Sequence, residues 1–373
     1  MNPLRLQTPL KVTISLTHTC NLDCRLCYAD CNRADLRPEL EAPEWIRFID
    51  ELVEQDIIAV LFEGGEPFHK PGFLNILHRC ADKMLTRIRT NGTLITCELA
   101  QELKAIGVGT VLVDFLGSTP RTHDRLTGAS GSHEKACKAV RALLAAGVPT
   151  QMLMILNRQN IHELQGFVVL AHELGVRTVG VLRPYPIGRA RRNWKEFALG
   201  IEEMTAALSA LTLPDRMKLM QSWHPNDGNC CWQMAAVNAY GDSIGCTYLR
   251  EFVNYGNIQA QPFVETWHHP LYRALREGPV ESSCPDCSHS QGSHGGCRST
   301  AFAFHGRWTA PDPFDLALNN GVDLRELPEW MLQAEPRPPD QTGAGNATLH
   351  RLHTPQAALT HAQQERLVDP GIV

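Results

Sequence analysis

The stretch HTCNLDCRLCYADC, residues 18–31, sets Cys20, Cys24, Cys27 and Cys31 within fourteen residues. It follows the β-branched run KVTISLT, which puts the thiols on a loop at the C-terminal end of a first strand. That is the end at which barrel-like α/β proteins build their active sites. From Lys11 to about Leu213, short runs such as IIAVLFEGG, TVLVDFLG, PTQMLMIL and TVGVLRPYP alternate with amphipathic stretches such as PEWIRFIDELVEQD and HEKACKAVRALLAAG. The alternation predicts successive βα units around a parallel sheet. Three predicted helices end in Gly-Val, at Gly107-Val108, Gly147-Val148 and Gly175-Val176, where a left-handed glycine closes a helix. About six units are counted, short of the eight of a closed barrel. The expected fold is therefore α/β, a partial (β/α)6 TIM-like barrel over residues 1–213, rather than a doubly wound sheet.

Composition narrows the function classes. A net charge of -5 over 373 residues gives no field that would gather nucleic acid or anionic lipid. The start MNPLRLQTPLKV lacks the apolar core of a signal peptide, and no run of eighteen apolar residues follows. A cytoplasmic protein with neither nucleic-acid nor membrane partner is expected. In that reducing setting the thirteen cysteines read as thiols, metal ligands or catalytic groups rather than as disulfides. Cys80, Cys97 and Cys137 stand alone on apolar or helical segments and read as small core or surface residues.

After Pro214 the chain turns to Gly, Cys, Asn and His in short runs, which marks a smaller second domain over residues 214–330. Residues 331–373, rich in Pro, Gln, Ala and Thr, read as a tail or a strap over the core.

Cys20, Cys24 and Cys27 form C-x3-C-x2-C. Three thiolates from one loop can hold three irons of a [4Fe-4S] cluster and leave the fourth open to a substrate or cofactor. A zinc site completed by Cys31 or His18, or plain surface thiols, would also fit the spacing.

With Leu26 before the third cysteine and Tyr28 after it, CNLDCRLCY resembles the cluster loop of radical S-adenosylmethionine (SAM) enzymes. EGGEP (Glu63 to Pro67) resembles that family's glycine-rich segment, RTNGTLIT (Arg89 to Thr96) its third-strand T-N-G turn, and TPRTHDRLTG its segment after strand four. The resemblance implies a unique iron that chelates SAM, with Cys31 outside the ligand set. It also implies contacts to SAM from Leu26, Tyr28, Gly64, Gly65, Glu66, Pro67, Asn91 and Arg125. Glycine at positions 64 and 65 is expected because a side chain would collide with the ligand. Many relatives carry S-L-D-G where this chain has Asp114-Phe115-Leu116-Gly117, so Asp114 is the candidate to replace that polar contact.

The late cysteines resemble the SPASM extension of the same family, which carries auxiliary iron-sulfur clusters. Cys231-x9-Gly241-x4-Cys246, Tyr255-Gly256-Asn257-Ile258, Cys284-x2-Cys287 and Cys297 carry the match. It fails at Ser293 and at Phe314-Asp315, where the family usually has cysteines. Six thiols fall short of two auxiliary clusters, so at least one is expected, held by Cys231, Cys246 and Cys297. Either Cys230 supplies the fourth ligand, or Cys284 and Cys287 complete the set as in the shortened twitch version. Left over, those two could bind a separate metal with His289 or His294.

The resemblance implies reductive cleavage of SAM to a 5′-deoxyadenosyl radical that takes a hydrogen atom from the substrate. An auxiliary cluster would handle electrons, and a donor such as flavodoxin or ferredoxin would supply the first one. Tyr248, two residues after Cys246, and Arg189 in RPYPIGRA are the candidate catalytic residues. Relatives most often modify ribosomal peptides, so peptide maturation is expected ahead of a small-molecule dehydrogenase or epimerase. The first strand starts about ten residues in, so no leader-binding domain is expected ahead of the barrel; a separate leader-binding protein would take that role. A non-catalytic iron-sulfur or zinc protein would explain the cysteines but not EGGEP or T-N-G.

Overall fold

The computed structural model describes residues 6–32, 37–221, 233–278, 280–281, 295–316 and 318–333. Six βα repeats supply β1 (Lys11–Ser15), β2 (Ala59–Glu63), β3 (Leu85–Thr90), β4 (Thr110–Phe115), β5 (Thr150–Ile155) and β6 (Thr178–Leu182). Two four-residue strands from beyond residue 213, β7 (Lys218–Gln221) and β8 (Met234–Val237), extend the same sheet. Every pairing is parallel and the order runs β7-β6-β5-β4-β3-β2-β1-β8, so the sheet is open and has two edges. The expected partial barrel is present, and its edge strands come from the region where the sequence pattern is weakest.

The helices form where apolar spacing and end signals agree. The first, α1 (Ala42–Glu54), starts at a capping box in which Glu44 accepts from the Glu41 backbone N–H, and it buries Trp45, Phe48, Ile49 and Leu52. The three Gly-Val ends share one closing motif. Gly107, Gly147 and Gly175 have φ of 88°, 76° and 89°. The N–H groups of Val108, Val148 and Val176 reach back to the carbonyls of Leu103, Leu143 and Ala171 at 3.1, 2.9 and 2.9 Å. That is a Schellman closure, and the three valines are buried as its apolar contact.

The two faces of the sheet differ. In β3, LTRIRT, Ile88 enters the apolar core, while Arg87 and Arg89 point the other way, to Gln151 on β5 and Asp114 on β4. That face of the sheet thus carries paired polar groups, Arg87 with Gln151 near the start of β5 and Arg89 with Asp114 toward the C-terminal ends of β3 and β4.

Beyond β8 the chain forms a short antiparallel hairpin. Val237 bridges to Ser243 and Asp242 to Asn257, with a left-handed Gly241 at the turn. Asn257 of the YGNI run donates to Tyr240 O (2.9 Å) and Asp242 Oδ1 (3.0 Å), locking the hairpin. Cys80 and Cys137 lie in the core and Cys97 is exposed at the start of a helix. Among the described residues, no helix is long and apolar enough to cross a membrane.

Candidate functional site

The cysteine loop occupies the C-terminal mouth of the barrel, between β1 and α1. Cys20, Cys24 and Cys27 line one cavity with Leu26, Tyr28, Gly64, Gly65, Asn91, Asp114 and Arg189. The cavity and its mouth together take in about 790 Å³ of space, part of it open solvent.

The glycine-rich turn lies directly on the cysteine loop. Gly65 N–H donates to Thr17 O (2.6 Å) and Glu66 N–H to Thr19 O (2.9 Å). A Cβ on Gly64 would meet Thr17 O at 2.6 Å, and one on Gly65 would meet Thr19 O at 2.0 Å. The packing of these two backbones therefore requires glycine at both positions, before any ligand is considered. Gly188 repeats this on the other side, since its Cβ would lie 2.5 Å from Tyr28 O.

Glu66 does not line the cavity. Its carboxylate is buried behind the turn and accepts from Thr90 Oγ1 (2.7 Å), the Asn91 N–H (2.9 Å) and the Phe68 N–H (3.3 Å). Burial raises it to about 7 against these bonds. Pro67 begins the short helix that follows and is buried. Asn91 is fixed beyond the end of β3, with its Nδ2 3.8 Å from Cys20 Sγ. Asp114 accepts both of its bonds from Arg89 Nε, at 2.9 and 3.1 Å, and burial still leaves its carboxyl above the usual range. Arg125 is exposed and bonds Gln159 at 2.5 Å, outside the cavity lining.

The two candidate catalytic residues are both engaged. Arg189 rides on the cysteine loop: its N–H donates to Cys27 O (2.9 Å), its Nη2 to Cys31 O (3.2 Å), and its guanidinium pairs with Asp23 and Asp30. Tyr248 stands behind Tyr28, ring centroids 5.1 Å apart, and stacks on Tyr185 at 3.5 Å. Its hydroxyl accepts from Arg89 Nη1 at 3.3 Å, and burial pushes the phenol up, away from a role as a base at neutral pH.

The sequence reading did not single out Glu63, Arg89 or His123, all of which line the cavity. Glu63 Oε1 accepts from Tyr28 Oη (2.8 Å) and Ser15 Oγ (3.4 Å). His123 is buried, with Nδ1 accepting from the Leu116 N–H (3.2 Å), and Nε2 makes no hydrogen bond. Charged residues inside otherwise apolar strands, as in AVLFE and LTRIRT, were the available signal for the first two.

Cys24 and Cys20 are pushed up by burial, Cys20 to about 11, whereas Cys27 is lowered to about 6, first by the neighbouring Cys31 side chain. Among the described residues, no three of His, Cys, Asp and Glu converge as ligands of a single metal ion. His18 stacks on Tyr240 instead of completing such a site. Three thiols spread around one cavity suit a polynuclear iron-sulfur cluster. The neighbouring backbone turn, the Asp114 carboxylate and the apolar Leu26, Leu116 and Ile155 suit a polar ligand with a flat ring. The residues fit the cluster and SAM together.

Of the late cysteines, Cys246 is buried after the hairpin and Cys297 precedes the helix Arg298–His305. Cys230, Cys231, Cys284 and Cys287, with His289 and His294, lie outside the described residues. Asp312 holds the Cys297 loop: it accepts from the Cys297 N–H (2.9 Å), Thr300 Oγ1 (2.6 Å) and Arg183 Nη1 (2.7 Å). Burial pushes Asp312 up, but Arg183 and these bonds outweigh it and leave the carboxyl below its ordinary value.

Comparison with known proteins agrees with this geometry. The family model of the radical SAM superfamily matches residues 14–171, and that of an iron-sulfur cluster-binding domain, SPASM, matches residues 230–288. The mycofactocin maturase MftC of Mycobacterium ulcerans is 28% identical over 327 residues, covering 83% of this chain and 88% of the relative. An AdoMet-dependent heme synthase of Methanosarcina barkeri is 27% identical over 337 residues, covering 82% of this chain and 96% of the relative. Among solved structures, Streptococcus suis SuiB bound to S-adenosylmethionine superposes with a TM-score of 0.65 at 17% identity, over 80% of this chain and 75% of that one. Its complex with the precursor peptide SuiA gives 0.64 at 18% identity, over 80% and 73%. At such identities the likeness to SuiB is one of fold.

Proposed function

From the premise that this chain is a radical SAM enzyme with a SPASM-type iron-sulfur domain, we propose that it matures a peptide by abstracting a hydrogen atom from it. The cofactors of such an enzyme are a [4Fe-4S] cluster, SAM and auxiliary iron-sulfur clusters. The observation that carries the reading is the single cavity lined by Cys20, Cys24, Cys27, the Gly64-Gly65 turn, Asn91 and Asp114. When bound, the cluster and SAM supply a 5′-deoxyadenosyl radical. Cys20, Cys24 and Cys27 hold three irons, the Gly64-Gly65 backbone and Asp114 receive the polar parts of SAM, and Leu26 with Tyr28 walls the site from water.

Arg189 is a positioning residue for the cysteine loop, because its contacts are to that loop's carbonyls and carboxylates. Tyr248 closes the cavity's inner wall through Tyr28 and Arg89. Cys246 and Cys297, with the remaining late cysteines, would hold the auxiliary cluster, and the chemistry it would supply there is electron transfer. A one-electron donor of the flavodoxin or ferredoxin kind is the partner this reading requires, and a separate leader-binding protein is one it allows, in the cytoplasm. MftC, a maturase, favours a peptide. The heme synthase, similar over 96% of its own length, favours the second reading, a small-molecule substrate.

The test is iron and sulfide per chain after anaerobic reconstitution, with SAM cleavage assayed after dithionite reduction, for wild type and the Cys20/Cys24/Cys27 triple alanine variant. The expected result is about eight irons falling to about four, with cleavage lost. Iron without cleavage in the wild type would count against the reading. Cleavage coupled to candidate precursor peptides but not to porphyrin-type or sugar substrates would separate the peptide from the small molecule.

A further inference from the structure

We propose that Asn91 raises the reduction potential of the cluster held by Cys20, Cys24 and Cys27, by donating a hydrogen bond to one of its three ligand sulfurs, that of Cys20. The inference rests on the proposed ligand set. It assigns a role to an amide whose direction is fixed by its neighbours.

Asn91 Oδ1 accepts from the Thr93 N–H (2.9 Å) and from Thr93 Oγ1 (2.6 Å). A backbone N–H can only donate, so the oxygen of the amide must face Thr93 and the NH2 must face the other way. There it meets Asn21 Oδ1 at 2.9 Å and Cys20 Sγ at 3.8 Å, one hydrogen for each. The Asn91 N–H is itself held by Glu66 Oε2, so the donor cannot drift from the sulfur.

Cys31 is buried, 3% exposed, with its Sγ 3.9 Å from Gly64 O. A carbonyl oxygen only accepts, so the one proton of the Cys31 thiol is directed to Gly64 O and leaves Asn91 as the donor to a ligand sulfur. Reduction of a cluster adds negative charge to its sulfurs, so a donor aimed at a ligand sulfur stabilises the reduced form more than the oxidised one. Asn91 thus makes the cluster easier to reduce, which suits a weak cellular donor.

The experiment is an EPR-monitored potentiometric titration of the reconstituted full chain, following the signal that changes when SAM is added. Asn91→Ala is expected to keep wild-type iron and shift the midpoint to more negative potential. Cys31→Ser, which retains the donor to Gly64 O, is expected to stay near the wild type. An unchanged Asn91→Ala midpoint at full iron content would overturn the inference. So would iron loss in Cys31→Ala equal to that in Cys27→Ala, which would make Cys31 a ligand. A SAM-responsive signal that survives in the triple alanine variant would instead overturn the ligand assignment beneath it.

Discussion

A methyl group on Gly65 would lie 2.0 Å from Thr19 O, a distance no real Cβ shows, and the atom it meets is backbone that cannot swing aside. Gly107 has a left-handed φ of 88° but nothing within 4 Å of an added Cβ. The two glycines are therefore required for different reasons, and their alanine variants should separate. Gly107→Ala is expected to cost about 1–2 kcal/mol of stability, the strain of a left-handed residue, with iron content intact. Gly65→Ala is expected to part the glycine turn from the cysteine loop and lose iron from the first cluster even where the chain stays folded; metal analysis beside thermal unfolding would show it. His123 gives a second prediction at this scale. Burial first, then the neighbouring His133, lowers it from 6.5 to about 4, with Asp124 and Glu163 opposing. The unfolded chain takes up a proton as pH falls through about 6.5, while the folded chain resists until about 4. The stability contributed by neutral His123 is thus complete above pH 6.5 and lost between 6.5 and 4, up to about 3 kcal/mol. Melting temperatures at pH 7.5 and 5 should fall less in His123→Gln than in the wild type.

Elements were legible where the signal was local. Five of the six main strands are short apolar or β-branched runs, the third is marked only by the resemblance of its T-N-G turn, and the three Gly-Val steps close helices by one motif, so the fold class was readable as far as β6. β7 and β8 were not readable: KLMQ and MAAV are four residues long, lack alternation, and are held in place by β6 and β1 rather than by propensity. The candidate site divides along the same line. Cys20, Cys24, Cys27 and the Gly64-Gly65 turn announce themselves as short motifs. Arg89 meets Asp114 only because β3 pairs with β4 in a register that sets Arg89 beside Leu112, and Glu63 meets Tyr28 across 35 residues. Such partnerships belong to the topology, and no window of the sequence contains both members. Arg125 shows the converse, a motif residue that the geometry leaves on the surface beside Gln159.

At the scale of the molecule, the question is what couples the barrel to the late cysteines. Arg183, just beyond β6, and Asp312 form a buried ion pair at 2.7 Å, with side chains 7% and 3% exposed. The same Asp312 oxygen accepts the Cys297 N–H. Tyr185, two residues after Arg183, stacks on Tyr248, two residues after Cys246. One barrel segment therefore bears on both described late cysteines. Removing one charge strands the other in a low-dielectric interior, which typically costs about 3–5 kcal/mol. Asp312→Asn is expected to lower the unfolding midpoint and to reduce the iron that remains in the triple alanine background. The iron that depends on Cys20, Cys24 and Cys27 should stay. Replacing both partners by apolar residues, Arg183→Met with Asp312→Leu, removes the stranded charge and should recover much of the stability. It should not recover the auxiliary iron, because the Cys297 N–H would still lack its acceptor. Recovery of both would mean that the pair serves only stability. Recovery of stability alone would assign Asp312 to the placement of Cys297.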